Sequence, residues 1–74
     1  MKLIDLKIKG KISFVKILAD KKIKSRLYQL GIYEGGKGEI VKFSPFKTNV
    51  LIKANGNLIG IRSKLAGNIL VEKI

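Results

Sequence analysis

The sequence contains no cysteine and no histidine. Without cysteine, the chain cannot form a disulfide, a redox-active thiol pair or a cysteine-ligated zinc site. Without histidine, it lacks the commonest general base and the imidazole ligand that many transition metals favour. These two absences exclude most nucleophilic catalysis and the binding of metals through sulfur or imidazole.

Acidic residues are scarce as well, and no two of them have a spacing typical of a catalytic pair. A calcium or magnesium site would need several converging carboxylates, which the many lysines oppose. The run from Gly35 to Gly38 lacks the spacing of a phosphate-binding loop and predicts a turn entering a strand. We therefore expect a non-enzymatic protein without a catalytic residue, a cofactor or a metal site. The five acidic residues are Asp5, Asp20, Glu34, Glu39 and Glu72.

Long apolar runs are also missing. Charged side chains interrupt the N-terminal segment at short intervals, so it does not have the apolar core of a signal peptide. Nowhere do about 18 apolar residues follow one another, so no membrane-spanning helix is expected. We predict a soluble, cytoplasmic protein.

The net charge of +11 comes from sixteen lysine and arginine residues against five acidic ones. Such a charge favours nucleic acid, anionic lipid or an acidic protein face as a partner. Fourteen of the cations are lysines scattered singly along the chain, and only Arg26 and Arg62 are arginines. Because specific phosphate and base contacts favour arginine, we interpret the charge mainly as a solvated surface and keep an electrostatic partner as an alternative.

Hydrophobic residues make up 46% of the sequence, and we predict one small domain over residues 1–74. Most of the chain shows the short alternating runs that are typical of β-strands. The apolar positions change face near Phe14, which predicts a β-bulge there. The predicted strands cover residues 11–19, 37–43, the two arms of 48–62, and a closing strand with Ile69 and Val71.

One segment has a helical pattern instead. Its apolar residues recur at the helical period, which predicts one amphipathic helix over residues 20–30. Asp20 is the predicted N-cap, and Gly31 stands where a left-handed residue ends a helix. The apolar stripe consists of Ile23, Leu27 and Leu30.

The clearest local signal is Asn55-Gly56, which lies between two alternating runs and predicts a two-residue hairpin turn. If Ala54 pairs with Asn57, the four β-branched aliphatic residues of the hairpin share one face, and Leu51 and Leu58 lie on the other. The four residues of the shared face are Val50, Ile52, Ile59 and Ile61.

The remaining segments complete a mainly β fold. Residues 3–9 are expected to form a leading strand or extended arm, and Pro45 predicts a loop in which Phe46 is exposed. Residues 63–67 predict one 3₁₀ turn. Five strands, a short helix after the first and a 3₁₀ turn before the last predict a small SH3-like barrel, with an OB-type barrel as the alternative.

The chain resembles the FeoA family, the small accessory proteins of bacterial and archaeal ferrous-iron uptake. The resemblance extends from Leu3 to Val71, with Gly60 at a position where the family usually has alanine. Its most specific parts are Arg26-Leu27-x-x-Leu30-Gly31-Ile32-x-x-Gly35 and Ile61-Arg62-x-x-x-Ala66-x-x-Ile69-x-Val71.

The resemblance implies an SH3-like barrel that acts on the membrane transporter FeoB through its cytoplasmic G-protein domain. It also implies a relation to the similar domain of iron- and manganese-dependent repressors. Two alternatives remain: a basic barrel that binds nucleic acid, which the net charge of +11 suggests, and a stand-alone regulatory domain, which the resemblance suggests. Exposed apolar groups and one arginine are the expected partner contacts. These candidates are Arg26, Tyr28, Tyr33, Phe46, Leu51 and Leu58.

Overall fold

A computed structural model describes residues 1–6 and 9–74, apart from the side chain of residue 47. Five antiparallel strands form one sheet: β1 (Gly10–Ile17), β2 (Lys37–Phe43), β3 (Asn49–Ala54), β4 (Asn57–Arg62) and β5 (Ile69–Lys73). Their order in the sheet is β4-β3-β2-β1-β5, and β4 and β5 do not pair with each other in the described residues. The sheet curls around a core of buried aliphatic side chains and Phe14. The helices are α1 (Lys21–Leu30) and α2 (Ser63–Ala66), and 3₁₀ turns occur at Leu3–Asp5 and Pro45–Lys47.

This architecture confirms the predicted small SH3-like fold, although the sheet is not closed into a complete barrel. The single long helix follows β1, and a helical turn precedes β5, as the sequence pattern indicated. That turn begins at Ser63, where the N–H of Gly67 donates to the Ser63 carbonyl at 3.0 Å with α-helical spacing. The next bond, from the N–H of Asn68 to the carbonyl of Leu65, has 3₁₀ spacing.

Helix α1 begins and ends at the predicted residues. The carboxylate of Asp20 accepts a 2.9 Å hydrogen bond from the N–H of Ile23, which satisfies one free donor of the first turn. Gly31 ends the helix with φ at 101°, a left-handed conformation that glycine reaches without steric cost. Leu27 is buried and Leu30 half-buried, but Ile23 is 39% exposed, so the apolar stripe is covered only toward its C-terminal end.

Two irregularities bend the sheet. The pairing of β1 with β5 shifts between Phe14 and Lys16, which confirms the predicted bulge. The pairing of β2 with β3 shifts between Ile40 and Lys42, which the sequence pattern did not indicate. Bulges increase the local twist, so these two shifts help the small sheet to wrap around its core.

The β3–β4 hairpin has the predicted register, with Ala54 paired to Asn57. Asn55 and Gly56 both have positive φ angles, of 51° and 78°, as a two-residue turn of this type requires. A shift of one residue would move the buried aliphatic side chains to the outer face, so the core fixes this register. The buried residues of the hairpin include Val50, Ile52, Ile59 and Ile61.

The expectation of a leading strand or arm over residues 3–9 was wrong for its described part. Leu3–Asp5 forms a 3₁₀ turn, and the side chains of Leu3 and Leu6 are buried. The backbone before the turn runs beside β5, since the N–H of Val71 donates to the carbonyl of Met1 at 2.7 Å. The part of this prediction that concerns residues 7 and 8 lies outside the described residues.

Candidate functional site: a tyrosine pair at the end of α1

The six predicted contact residues lie on separate parts of the surface. Tyr28 and Tyr33 come together, with ring centroids 5.4 Å apart and ring planes at 52°. Leu51 is half-buried and lines a cleft beside Pro45. Phe46 follows Pro45 and is fully exposed. The other two are Arg26, which is exposed on α1, and Leu58, which is exposed on β4 opposite Lys53 of β3.

The chain reversal after α1 creates the tyrosine pair. Gly31 turns the backbone out of the helix, and the N–H of Ile32 donates to the carbonyl of Leu27 at 2.9 Å. Ile32 is completely buried, which holds the returning chain against the core. Tyr33 therefore comes back beside Tyr28, and the tilted rings have a favourable geometry for an aromatic pair.

Two hydrogen bonds and one close approach fix the position of Tyr33. The N–H of Gly36 donates to the carbonyl of Tyr33 at 2.9 Å, and the N–H of Gly35 donates to the carbonyl of Phe14 at 2.8 Å. A Cβ atom at Gly36 would lie only 3.0 Å from the ring of Tyr33. The ring can therefore pack this closely on the backbone because residue 36 has no side chain. The side chains remain accessible, with Tyr28 66% and Tyr33 45% exposed.

A cleft opens on each side of the pair, and both tyrosines line both clefts. The first has a volume of about 270 Å³ and an apolar floor that includes Ile17 and Ile32. The second, of about 530 Å³, is more polar and runs past three glycines toward Lys37. Rigid aromatic walls with polar tips beside apolar recesses are suited to binding the side chains of another molecule.

Glu34 connects this site to β1. Its carboxylate accepts a 2.9 Å hydrogen bond from the N–H of Ile17 and lies 3.7 Å from the ammonium group of Lys24. The backbone hydrogen bond and, to a smaller extent, the nearby charges of Lys24 and Lys16 lower the pKa of Glu34 below its ordinary value of 4.5. Glu34 thus joins the tyrosine segment to the end of β1 while it is ionised.

Acid is therefore expected to weaken the fold partly through Glu34. The pKa of Glu34 is lower in the folded state than in the unfolded state. The contribution of Glu34 to the free energy of unfolding is therefore complete above its ordinary pKa and is lost as the pH falls through the lowered value. We expect Glu34→Gln to flatten the pH dependence of the free energy of unfolding in this acidic range, measured by urea denaturation at a series of pH values. Lys24→Ala should flatten it less, because the backbone hydrogen bond is the larger cause. Equal pH dependence in the wild type and Glu34→Gln would contradict this prediction.

A second accessible surface is a groove of about 480 Å³ between α1 and β4. Both arginines of the chain, Arg26 and Arg62, line it, and its other walls are mainly aliphatic. Arg62 was not among the predicted contact residues. The sequence signal that could have identified Arg62 as a contact is that the chain has only two arginines beside fourteen lysines.

Two further properties concern metal ions and membranes. In the part of the chain that the structure describes, no three of the acidic side chains converge closely enough to hold a metal ion. No helix within residues 1–6 and 9–74 is long and apolar enough to cross a membrane.

The fold and the site define a small SH3-like domain that presents an aromatic pair on its surface. The sequence model of the FeoA domain matches residues 1–73. The chain therefore belongs to the FeoA family. No curated protein matches its sequence significantly.

Solved structures agree with this membership. The FeoA protein from Chlorobium tepidum shares 28% identity and superposes with a TM-score of 0.89, over all of this chain and 70% of its own. The iron(II) transport protein A from Clostridium thermocellum shares 24% identity with a TM-score of 0.86, and this chain covers 46% of it. The manganese-activated repressor ScaR shares the fold, with 22% identity and a TM-score of 0.88, and this chain spans 35% of its length.

Proposed function

We propose that this protein is a non-enzymatic accessory protein of ferrous-iron transport that binds the cytoplasmic G domain of a FeoB-type transporter. The observation that carries the proposal is the family match, which extends over residues 1–73. The likeness to a FeoA protein over the whole chain supports it. The protein would act in the cytoplasm, where that domain of the transporter lies.

The tyrosine pair is the contact surface that we favour. Tyrosine and arginine are enriched among the residues that dominate interface energies, and such residues act best when neighbouring recesses exclude water. Tyr28 and Tyr33 have a recess on each side, and the backbone bonds of Gly35 and Gly36 hold the pair in place. Because the pair is formed before binding, little side-chain entropy is lost when a partner covers it.

Truncation of the pair is expected to weaken binding to the transporter's soluble cytoplasmic domain. If the pair is a dominant contact, Tyr28→Ala and Tyr33→Ala should each raise the dissociation constant by about 30-fold. Leu18→Ala is the matched control, because Leu18 is 50% exposed and lies on neither cleft. Calorimetric titration measures the constants, and circular dichroism confirms that each variant remains folded.

The outcomes distinguish a failure of the proposed function from a failure of the tyrosine pair as its contact surface. Failure of the wild-type chain to bind the domain at high micromolar concentration would contradict the proposed function. Wild-type binding that neither tyrosine variant weakens would retain the function and exclude this surface. Modulation is tested in the same mixture, where the chain should change the rate of GTP hydrolysis and Tyr28→Ala should reduce that change.

A detached regulatory domain is the second candidate function, because the same fold forms about a third of ScaR. Gene neighbourhood distinguishes the two. A neighbouring gene for a membrane transporter with a G domain supports the accessory role, and a neighbouring gene for a metal-dependent repressor that lacks this domain supports the regulatory one.

A further inference from the structure

Phe46 is the most exposed large apolar side chain in the described part of the chain, with 98% of its surface accessible. Its backbone has φ at 62° and ψ at 14°, a left-handed conformation that a bulky residue rarely adopts. The side chain adds nothing to the core, and its backbone conformation is unfavourable. We propose that the turn carrying Phe46 docks the protein on an anionic lipid surface by inserting this ring between the headgroups.

The turn is held rigidly in the conformation that presents the ring. The N–H of Asn49 donates to Ser44 Oγ at 2.7 Å, and the N–H of Ser44 donates to the carbonyl of Asn49 at 3.0 Å. Ser44 Oγ is also hydrogen-bonded to Thr48 Oγ1 at 2.9 Å, so both ends of the turn are joined. A turn that is ordered before binding loses little conformational entropy when the ring enters the interface.

The charge around the turn matches an anionic surface. No acidic residue occurs from residue 40 to residue 71, whereas that stretch contains five lysine and arginine residues. Lys42 lines the cleft beside Pro45 and Leu51. Further along the same strands, Lys53 pairs with Leu58 of β4, which is 62% exposed, and with Glu39 of β2. Glu39 is the acidic residue nearest to this face in the strand register, and it lies at the end of β3 away from the turn. We call this the Phe46 surface, defined by Lys42, Pro45, Phe46, Leu51, Lys53 and Leu58.

Exposed apolar side chains among an excess of cations are what an anionic membrane interface attracts. Each cation near such a surface adds to the electrostatic attraction. The apolar ring adds the transfer of its surface out of water. A neutral bilayer would supply only the apolar contribution, and a charged loop without an exposed ring would gain only the electrostatic one. The two features together therefore indicate an anionic lipid surface as the occupant.

Lipid fits this surface better than nucleic acid does. Proteins that bind single strands stack successive bases on several aromatic side chains, and Phe46 is the one aromatic residue of the Phe46 surface. Tyr28 and Tyr33 pack against each other and line other clefts. The cations of the Phe46 surface are lysines, which lack the planar fork that reads phosphate and base edges.

The proposal does not depend on the proposed function, because vesicles made only of lipid contain no transporter. The sequence has no tryptophan, so Phe46→Trp introduces a single reporter at the tip of the turn. With vesicles of phosphatidylcholine and phosphatidylglycerol in equal parts, we expect its emission to shift to shorter wavelength, and with pure phosphatidylcholine we expect no shift. Leu18→Trp is the control and should show no shift with either vesicle, since Leu18 lies outside the Phe46 surface.

Binding by unlabelled variants tests the ring and the charge separately. Phe46→Gly should bind the anionic vesicles at least about tenfold more weakly. It should also unfold at a higher urea concentration, because glycine tolerates the left-handed conformation. Lys42→Glu with Lys53→Glu should weaken vesicle binding strongly and reduce its dependence on salt, whereas Leu18→Ala should bind like the wild type.

Three results would each overturn the proposal. The first is no binding of the wild type to anionic vesicles at low salt. The second is binding without an emission shift in Phe46→Trp, which would place the contact on another face. The third is a shift with a single-stranded oligonucleotide and none with vesicles, which would assign the surface to nucleic acid.

Discussion

Gly31→Ala is expected to lower the free energy of unfolding by about 3 kcal/mol, a large share of the stability of so small a protein. Two costs add at this position. Alanine at φ of 101° is strained by about 1 to 2 kcal/mol. Its Cβ would also lie 2.5 Å from the Cβ of Asn55 and 3.3 Å from the carbonyl oxygen of Ala54. Because Asn55 is fixed in the hairpin turn, α1 or the hairpin must move.

Gly35→Ala is the matched control for this prediction. Gly35 also has a positive φ angle, of 88°, but nothing lies within 4 Å of a Cβ placed there. Gly35→Ala should therefore lower the free energy of unfolding only by the backbone cost of about 1 kcal/mol. Urea denaturation followed by circular dichroism measures both values, and equal losses would show that the approach of α1 to the hairpin is not tight.

Gly31→Ala also tests whether the turn after α1 positions the tyrosine pair. A displacement of Gly31 moves the segment that brings Tyr33 back to Tyr28. Gly31→Ala should therefore weaken binding to the transporter domain more than Gly35→Ala does, under conditions in which both variants are folded.

Phe14→Ala is expected to cost about 4 kcal/mol of unfolding free energy. Phe14 has no accessible surface, and its ring packs so closely on β2 that a Cβ at Gly38 would lie 3.0 Å from it. A chain of this length has a total stability on the order of 4 to 11 kcal/mol. The variant should therefore be partly or largely unfolded in the absence of denaturant.

The neighbouring residue provides the control. Val15 belongs to the same strand and is 47% exposed, so Val15→Ala should change the stability by less than about 1 kcal/mol. Phe14→Leu retains most of the apolar volume and should lose much less than Phe14→Ala. Residue 14 bonds to Gly35 and Gly36 through its backbone, and none of these substitutions removes a backbone donor or acceptor, so the comparison isolates the side chain. A loss below 1 kcal/mol in Phe14→Ala would contradict a tightly packed core.

Local signals in the sequence predicted much of the fold. Asp20 and Gly31 delimit α1 because a cap and a left-handed residue act through bonds to their nearest neighbours. Asn55-Gly56 fixed the hairpin register for the same reason. The N-terminal turn was missed because Leu3 and Leu6 are buried by distant residues, and the alternation of lysines there suggested a strand.

The candidate site was predictable only in part. Tyr28 and Tyr33 were expected to be exposed contacts, but five residues of sequence separation did not reveal that the rings touch. The meeting of Arg26 and Arg62 at one groove depends on how α1 lies beside β4. The positive φ angle of Phe46 also came only from the structure, since proline before it predicts a loop without fixing its form.

By itself, the sequence determined the absence of cysteine and histidine chemistry, the excess of positive charge, the helix with its caps, the hairpin and the resemblance to the FeoA family. These properties depend on composition and on contacts between near neighbours in the chain. The tertiary structure decided which exposed groups form a surface: the tyrosine pair, the groove with both arginines and the Phe46 surface. Such surfaces depend on distances between side chains from separate elements, and only the packing of the sheet and α1 sets those distances.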